Sequence, residues 1–508
     1  MDMNNERSLT AVSCLTSLTH ESAEDFTLPD YMPAIRRVIS VTASPLPESR
    51  FLTGAAMEFG GTIAYSVLYL GEGDEIYCAP LTSEYSASVA LGDSVISDAS
   101  AVGIDTSSEN VTCRVIAPRK LTLKCRMKTK IAAFAPVPLT ETVKDSAGRP
   151  VNAGEWNLER LIGSSPDVQI ARGELTATVD GTLNLAPGTK ILACDGAIRV
   201  EEVRPGQDTV SVQGDGVVHL LCLSPDGAFF TTSAKGRFGE TVSVSGAADG
   251  DAARAWGRSA AVTINTADES AGTWEIEFDL EAESARAAET SYTADAYATS
   301  CASGVEMAER DSLRLLKCGI GALSFSGESG RQSKSVPGEK ILRVDATVHP
   351  DHVECETGKG RLTLHGVAAV RVLIAAEGDV IVEEFSLPLR YETDAAAIPT
   401  SADLLWRCSA DVIDGTARTE GDKIAVNLDL SLSMTVLSRE KIRYVQAIAL
   451  ETSAGTPAED STVRICYPDA GEPIWEIGKR YRSCLRTLCE RNGIADAHAV
   501  CSGEPILV

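Results

Sequence analysis

Residues 37–70 read RVISVTASPLPESRFLTGAAMEFGGTIAYSVLYL, and residues 190–223, KILACDGAIRVEEVRPGQDTVSVQGDGVVHLLCL, superpose on them without a gap at an offset of 153. A third copy, KILRVDATVHPDHVECETGKGRLTLHGVAAVRVLIA, begins at residue 340 and needs a two-residue insertion, after which Gly366 falls where Gly61 and Gly214 fall. Each copy has a β-branched apolar run, a polar turn region and a second apolar run. Short runs of this kind, bounded by Gly, Pro and Asp, are strands joined by hairpins. The repeat is too long for a solenoid unit, so we expect three β-rich domains in a row.

Farther along each copy lies a strand with cleaner alternation. In the first, Leu121, Leu123, Cys125 and Met127 share one face, and Lys124, Arg126, Lys128 and Lys130 share the other. The second sets Trp274, Ile276, Phe278 and Leu280 against Glu275, Glu277, Asp279 and Glu281. The third sets Val426, Leu428, Leu430, Leu432 and Met434 against Asn427, Asp429, Ser431 and Ser433. A slip of one residue would put the charges in the core, so the register is strongly specified. The outer faces are expected to be wet. The Lys124, Arg126, Lys128 and Lys130 face is also a candidate docking strand for an acidic surface, either a partner's or the Glu275–Glu281 strand of a neighbouring copy, and so for self-association.

The totals bound the class. A chain of 508 residues exceeds one core, and 44% hydrophobic residues suffice to build several. No apolar run approaches the roughly 20 residues needed to span a bilayer, and the start lacks a basic segment followed by an apolar one, so neither membrane insertion nor export is expected. Fourteen cysteines without a CxxC pair read as small buried thiols. A net charge of −26 opposes binding to nucleic acid or anionic lipid, leaving proteins or neutral glycans as partners.

Catalytic signatures are missing. GESGR at 327–331 is not a nucleophile elbow, there is no Walker loop, and the six histidines pair with no nucleophile. HPDHVECE gathers His349, Asp351, His352, Glu354 and Cys355, but neighbours in an extended segment alternate faces, and the matching stretch of copy two, IRVEEV, has no histidine. We therefore expect no enzyme, no metal and no cofactor.

The last 47 residues read as a separate β-α-α-β unit. Arg464–Tyr467 is strand-like, Pro473 suits the first position of a helix carrying Ile474, Ile477 and Tyr481 on one face, and Ser483 can cap a second helix. That helix buries Leu485 and Leu488 and stops at Asn492-Gly493, and EPILV closes the unit. Residues 462–508 carry six basic and six acidic side chains, so this tail is neutral while the rest of the chain carries the charge.

The expected fold is therefore mainly β, with tandem antiparallel β-sandwich-like repeats and a small C-terminal βααβ domain. The expected divisions are an N-terminal tail (1–25), a first repeat (26–140), a partly helical linker with the second repeat (141–310), a third repeat (311–455) and the small domain (462–508). EWNLERLIG and MAERDSLRLLKCGIG carry the helical character.

The stretch FTLPDYMPAIRRVISVTA, followed by GTIAYSVLYLGEGDEIYCAPLTSEYSASVAL, resembles the repeat of the SPOCS-domain family of spore-coat morphogenetic proteins, and YTADAYATSC at 292–301 is similar to another of its hallmarks. The tail resembles a LysM module: Gly471, Glu472, Pro473, Ile474 and Trp475 stand where that family has Gly-Asp-Thr-Leu-Trp, and Asn492 matches its usual Asn. Gly478 replaces the usual Ala, at a helix-propensity cost of about 1 kcal/mol. The resemblance implies a non-catalytic scaffold in spore envelope assembly, in the mother-cell cytoplasm at the forespore surface. It also implies that the LysM-like tail binds the coat's basement-layer ATPase or other coat proteins. The alternative it leaves is an anchor to peptidoglycan or N-acetylglucosamine chains. The candidate binding residues are Asp469, Gly471, Glu472, Ile474, Trp475, Lys479, Arg480 and Asn492, around a groove between loops 469–474 and 492–498, with Trp475 also reading as core.

Overall fold

A computed structural model of the chain describes residues 7–53, 56–73, 75–90, 101–268, 271–332, 338–356, 359–376, 379–395, 403–451, 464–494, 496 and 499–508. The protein is mainly β and is built from three copies of a six-stranded unit. The first unit comprises β1 (Ser8–Thr27), β2 (Ile35–Thr53), β3 (Ala56–Gly71), β4 (Ile76–Ala90), β5 (Ala101–Ala117) and β6 (Lys120–Pro138). A short strand, β7 (Thr142–Lys144), follows. The second unit comprises β8 (Leu158–Asn184), β9 (Lys190–Gly206), β10 (Thr209–Leu223), β11 (Phe229–Ser243), β12 (Ala252–Asp268) and β13 (Ala271–Ala298). The third comprises β14 (Ala302–Gly330), β15 (Lys340–Glu356), β16 (Arg361–Ala376), β17 (Asp379–Asp394), β18 (Asp403–Glu420) and β19 (Lys423–Glu451). In every unit the second, third and fourth strands form an antiparallel meander, while the first, sixth and fifth form a second antiparallel sheet in that order.

The two sheets of each unit pack face to face through the alternating residues. Met57, Ile63 and Tyr65 meet Leu121, Leu123, Cys125 and Met127 in the first unit. Val210 and Val212 meet Trp274, Ile276 and Phe278 in the second, and Val370 and Val372 meet Val426 and Leu428 in the third. Each such side chain contributes roughly 1.5–3 kcal/mol when fully buried.

Three expectations need correction. Residues 8–25 are not a tail: β1 pairs with β6 along its length, from Ser8 opposite Pro138 to Thr27 opposite Lys120. The segments that read as helical are strands, EWNLERLIG giving way after a single 3-10 turn (Ala153–Glu155) to β8, and MAERDSLRLLKCGIG lying inside β14. Their Leu, Arg and Glu favour helix locally, but ladders to β13 and β19 satisfy the backbone throughout, with a bulge between Leu315 and Lys317 resetting the faces. Nor do the units stand independently in a row. Leu68, Leu221 and Leu373, at equivalent positions of the three meanders, share one apolar cluster, and Phe134, Ala285 and Leu437, equivalent on the sixth strands, share another. The units therefore close a ring around an approximate threefold axis.

Two residues before that second triplet stand Ala132, Glu283 and Thr435, again equivalent and at the axis. Glu283 and Arg254 are each 2% exposed and bond bidentately, at 3.1 and 3.2 Å. Arg407 of the third unit donates to the same carboxylate at 2.9 Å, Arg172 lies at 3.3 Å, and Thr435 donates from the facing strand. Arg254 and Arg407 correspond to Gly103 of the first unit, where a Cβ would collide with the guanidinium groups of Arg172 and Arg407. Burial alone would raise the Glu283 carboxyl, but Arg254, Arg407 and Arg172 outweigh it and hold it well below the carboxylate range. Among the described residues no helix is long and apolar enough to cross a membrane.

Glu283→Gln would leave Arg254, Arg407 and Arg172 with only the partly exposed Glu281 carboxylate beside them, and we expect it to lower unfolding free energy by about 3 kcal/mol in urea titrations. Because the native carboxyl is depressed, its contribution is fully present above the unfolded value of about 4.3 and is lost as pH falls below it. Melting temperature should accordingly fall less steeply below about pH 4 in the variant than in the native protein.

Candidate functional site

The C-terminal module holds most of the candidate residues. Strands β20 (Ile465–Cys466) and β21 (Ile506–Leu507) pair antiparallel, and helices α1 (Ile474–Tyr481) and α2 (Leu485–Asn492) lie between them in sequence. Pro473 is the N-cap of α1 rather than its first helical residue, and Cys484, not Ser483, caps α2. Gly493 ends α2 in the left-handed conformation, as expected. Ile474, Ile477 and Leu488 pack with Cys466, Cys501 and Ile506 to form the module's small core.

Trp475 does not join that core. It packs with Leu485 against Tyr297 of the second unit, the two aromatic rings meeting edge-on with centroids 5.0 Å apart. Its indole N–H donates to Asp295 Oδ2 at 2.8 Å, and Lys479 Nζ reaches the same oxygen at 2.6 Å. Tyr297 in turn donates to the Ser483 carbonyl at 2.8 Å. A bulge between Thr293 and Asp295 sets the local facing of β13: Ala296 and Ala298 join the cluster beside β19, while Asp295 and Tyr297 take the module. Burial pushes the Tyr297 phenol well up, so it remains a donor at any physiological pH.

Gly478, in the middle of α1, has a steric reason. A Cβ there would lie 2.5 Å from the Tyr297 hydroxyl and 3.0 Å from Leu485 Cδ2. The propensity lost in the helix is exchanged for a close seat on the second unit.

The other candidates are held within the module. Arg480 pairs with Glu472, whose other oxygen accepts from the Asp469 amide at 3.2 Å. Asn492 clamps β21, donating to the Leu507 carbonyl and accepting from the Leu507 amide, both at 2.7 Å. Gly471 takes a positive φ of 89° in the turn before α1, and Ile474 is fully buried. Residues 495, 497 and 498 of the expected groove lie outside the described residues.

The module also leaves several apolar side chains exposed. Ile465 and Leu507, directly opposed on β20 and β21, are 54% and 41% exposed, and Tyr467 and Val500 reach 76% and 64%. The sequence signal for this face was available in the alternation around buried Cys466 and Ile506, but two-residue strands are too short for it to be read.

The basic strand is answered largely within the chain. Lys124 pairs with Glu21 at 2.6 Å and Arg126 with Glu109 at 3.2 Å, both on the first unit's own sheet. Lys128 is half-buried. Lys130 sits 4.7 Å over the Trp406 ring of the third unit, and burial lowers its pKa. The acidic strand meets arginines instead, Glu281 lying beside Arg172 and Arg407.

Gly478→Ala should favour the helix yet unseat the module. The expected readout is red-shifted Trp475 emission in the intact chain and faster proteolysis of residues 464–508, with the melting of the ring unchanged. No protein-family model, no curated protein and no solved structure matches this chain.

Proposed function

We propose that the protein is a non-catalytic scaffold of the spore envelope. It uses its LysM-like module to bind a coat protein, the basement-layer ATPase being the partner that the resemblance implies. The observation that carries this reading is the contrast between the module's sealed and its exposed apolar side chains. Trp475 and Lys479 are spent on Asp295 and Tyr297, whereas Ile465, Tyr467, Val500 and Leu507 stand exposed, Ile465 and Leu507 directly opposed on β20 and β21. Exposed apolar clusters on a polar background are protein-contact surfaces, and aromatic residues carry most of their binding energy.

The same contrast weighs against the glycan anchor. Trp475 is only 3% exposed, so its indole offers no open face to a sugar, and Asn492 has spent its amide on β21. The charge of −26 weighs against nucleic acid. The scaffold would work in the mother-cell cytoplasm at the forespore surface.

The test uses the full chain against the purified basement-layer ATPase, with a chitin-type oligosaccharide in parallel. Tyr467→Ser combined with Ile465→Ser should weaken ATPase binding about thirtyfold, equivalent to roughly 2 kcal/mol, while the fold is retained. Undiminished ATPase binding, or saturable binding of the oligosaccharide by the native chain, would overturn the proposal.

A further inference from the structure

On the third unit, His352 of β15 stands directly opposite His365 of β16, and Glu354 follows two residues along β15 on the same face. The two imidazole rings stack with centroids 4.6 Å apart and planes 8° from parallel. The Glu354 carboxylate spans them, with Oε1 3.5 Å from His352 Nε2 and Oε2 3.2 Å from His365 Nε2. One donor atom from each of the three residues fits within a 4.8 Å span.

A fourth residue orients the set. The ladder between β15 and β16 slips between Pro350 and His352, so Asp351 is the extra residue of a bulge. The bulge brings Asp351 Oδ2 to 2.9 Å from His352 Nδ1, a contact that regular alternation denies to sequence neighbours. A carboxylate that holds the Nδ1 proton leaves Nε2, which faces Glu354, as the ligand atom once a cation displaces its proton, and this is the usual arrangement behind a metal-bound histidine.

We propose that His352, Glu354 and His365 bind a divalent transition cation of the zinc class, with Asp351 as a positioning residue. Two imidazoles and a carboxylate suit such borderline cations better than calcium or magnesium, which take oxygen ligands. Metal–ligand bonds of about 2.0–2.2 Å in tetrahedral geometry place donor atoms roughly 3.3–3.6 Å apart, close to the two nitrogen–oxygen separations here. His352 and Glu354 are 50% and 63% exposed, so a fourth coordination position opens to solvent, where water or a side chain of a docked protein completes the shell.

Cobalt(II) is the probe, because its visible spectrum separates nitrogen and oxygen ligands from thiolates, and this chain has many cysteines. Titration of the intact protein should show one equivalent bound with ligand-field bands and no thiolate charge-transfer band. His365→Asn and Glu354→Gln should each abolish that equivalent, and Asp351→Asn should weaken it about 10–100-fold, all with unchanged melting because the site is on the surface. The proposal is overturned if cobalt does not bind, if it binds with thiolate bands, or if His365→Asn binds as the native chain does.

Discussion

The buried Glu283 carboxylate is the axial member of a set of directional contacts that hold the ring in register, the others including Arg258 on Asp105, Arg343 on Asp195 and Arg371 on the Val41 carbonyl. The apolar clusters at the axis join the three units but are non-directional, and sheets in contact through Leu, Ala and Phe could slide by a fraction of a residue at small cost. The carboxylate cannot tolerate that: it is clasped bidentately by Arg254 and reached by Arg407 and Thr435 from the next unit. Its desolvation is repaid only in that geometry. The chain can do this because its repeats are covalently linked and free to diverge. Three identical subunits would bring three carboxylates, or three arginines, to one axis. Here the equivalent positions are Ala132, Glu283 and Thr435, and those facing them are Gly103, Arg254 and Arg407, so one unit supplies space, one the charge and one the additional donors.

Divergence also decides what covers the end of each sixth strand. β13 and β19 both run on beyond their pairing with the fifth strand, and both carry a bulge at the same place, after Thr293 and after Val445. Past the bulge, β19 offers Ala447 and Ala449, small residues that pair with β7. At the equivalent positions β13 offers Asp295 and Tyr297, which seat the C-terminal module. The same backbone feature thus makes a sheet edge in one unit and a docking platform in another.

The sandwich cores were legible because their signal is local: every inward residue of the three alternating strands, from Leu121 to Met434, is buried. What escaped depends on partners far away in the chain. β1 is polar and irregular, and only its ladder to β6, more than ninety residues on, makes it a strand. Glu283 shares its face with exposed Glu275 and Glu277, so alternation alone assigns it to solvent, and only the approach of the other units buries it. The histidine pair was half visible, since His352 and Glu354 stood out in HPDHVECE, but His365 joins them through a register that a bulge sets. In the module the helices and their order were readable, whereas the role of Trp475 turned on Tyr297, nearly two hundred residues earlier.

The seat at Tyr297 also bears on how the module can bind. Forty-seven residues bury too little apolar surface to be stable with much margin, and this module carries a glycine in the middle of its first helix. Docking on β13 supplies what its own core lacks: a buried indole, a two-donor contact to Asp295 and a tyrosine filling the space that a larger side chain would occupy. A face presented from such a base is already ordered before a partner arrives, so binding need not meet the cost of folding the module. The weakness of the helix is then tolerable only on the ring. The ring and its small C-terminal module act as one structural element, and the exposed Ile465 and Leu507 pair of β20 and β21 is carried on it.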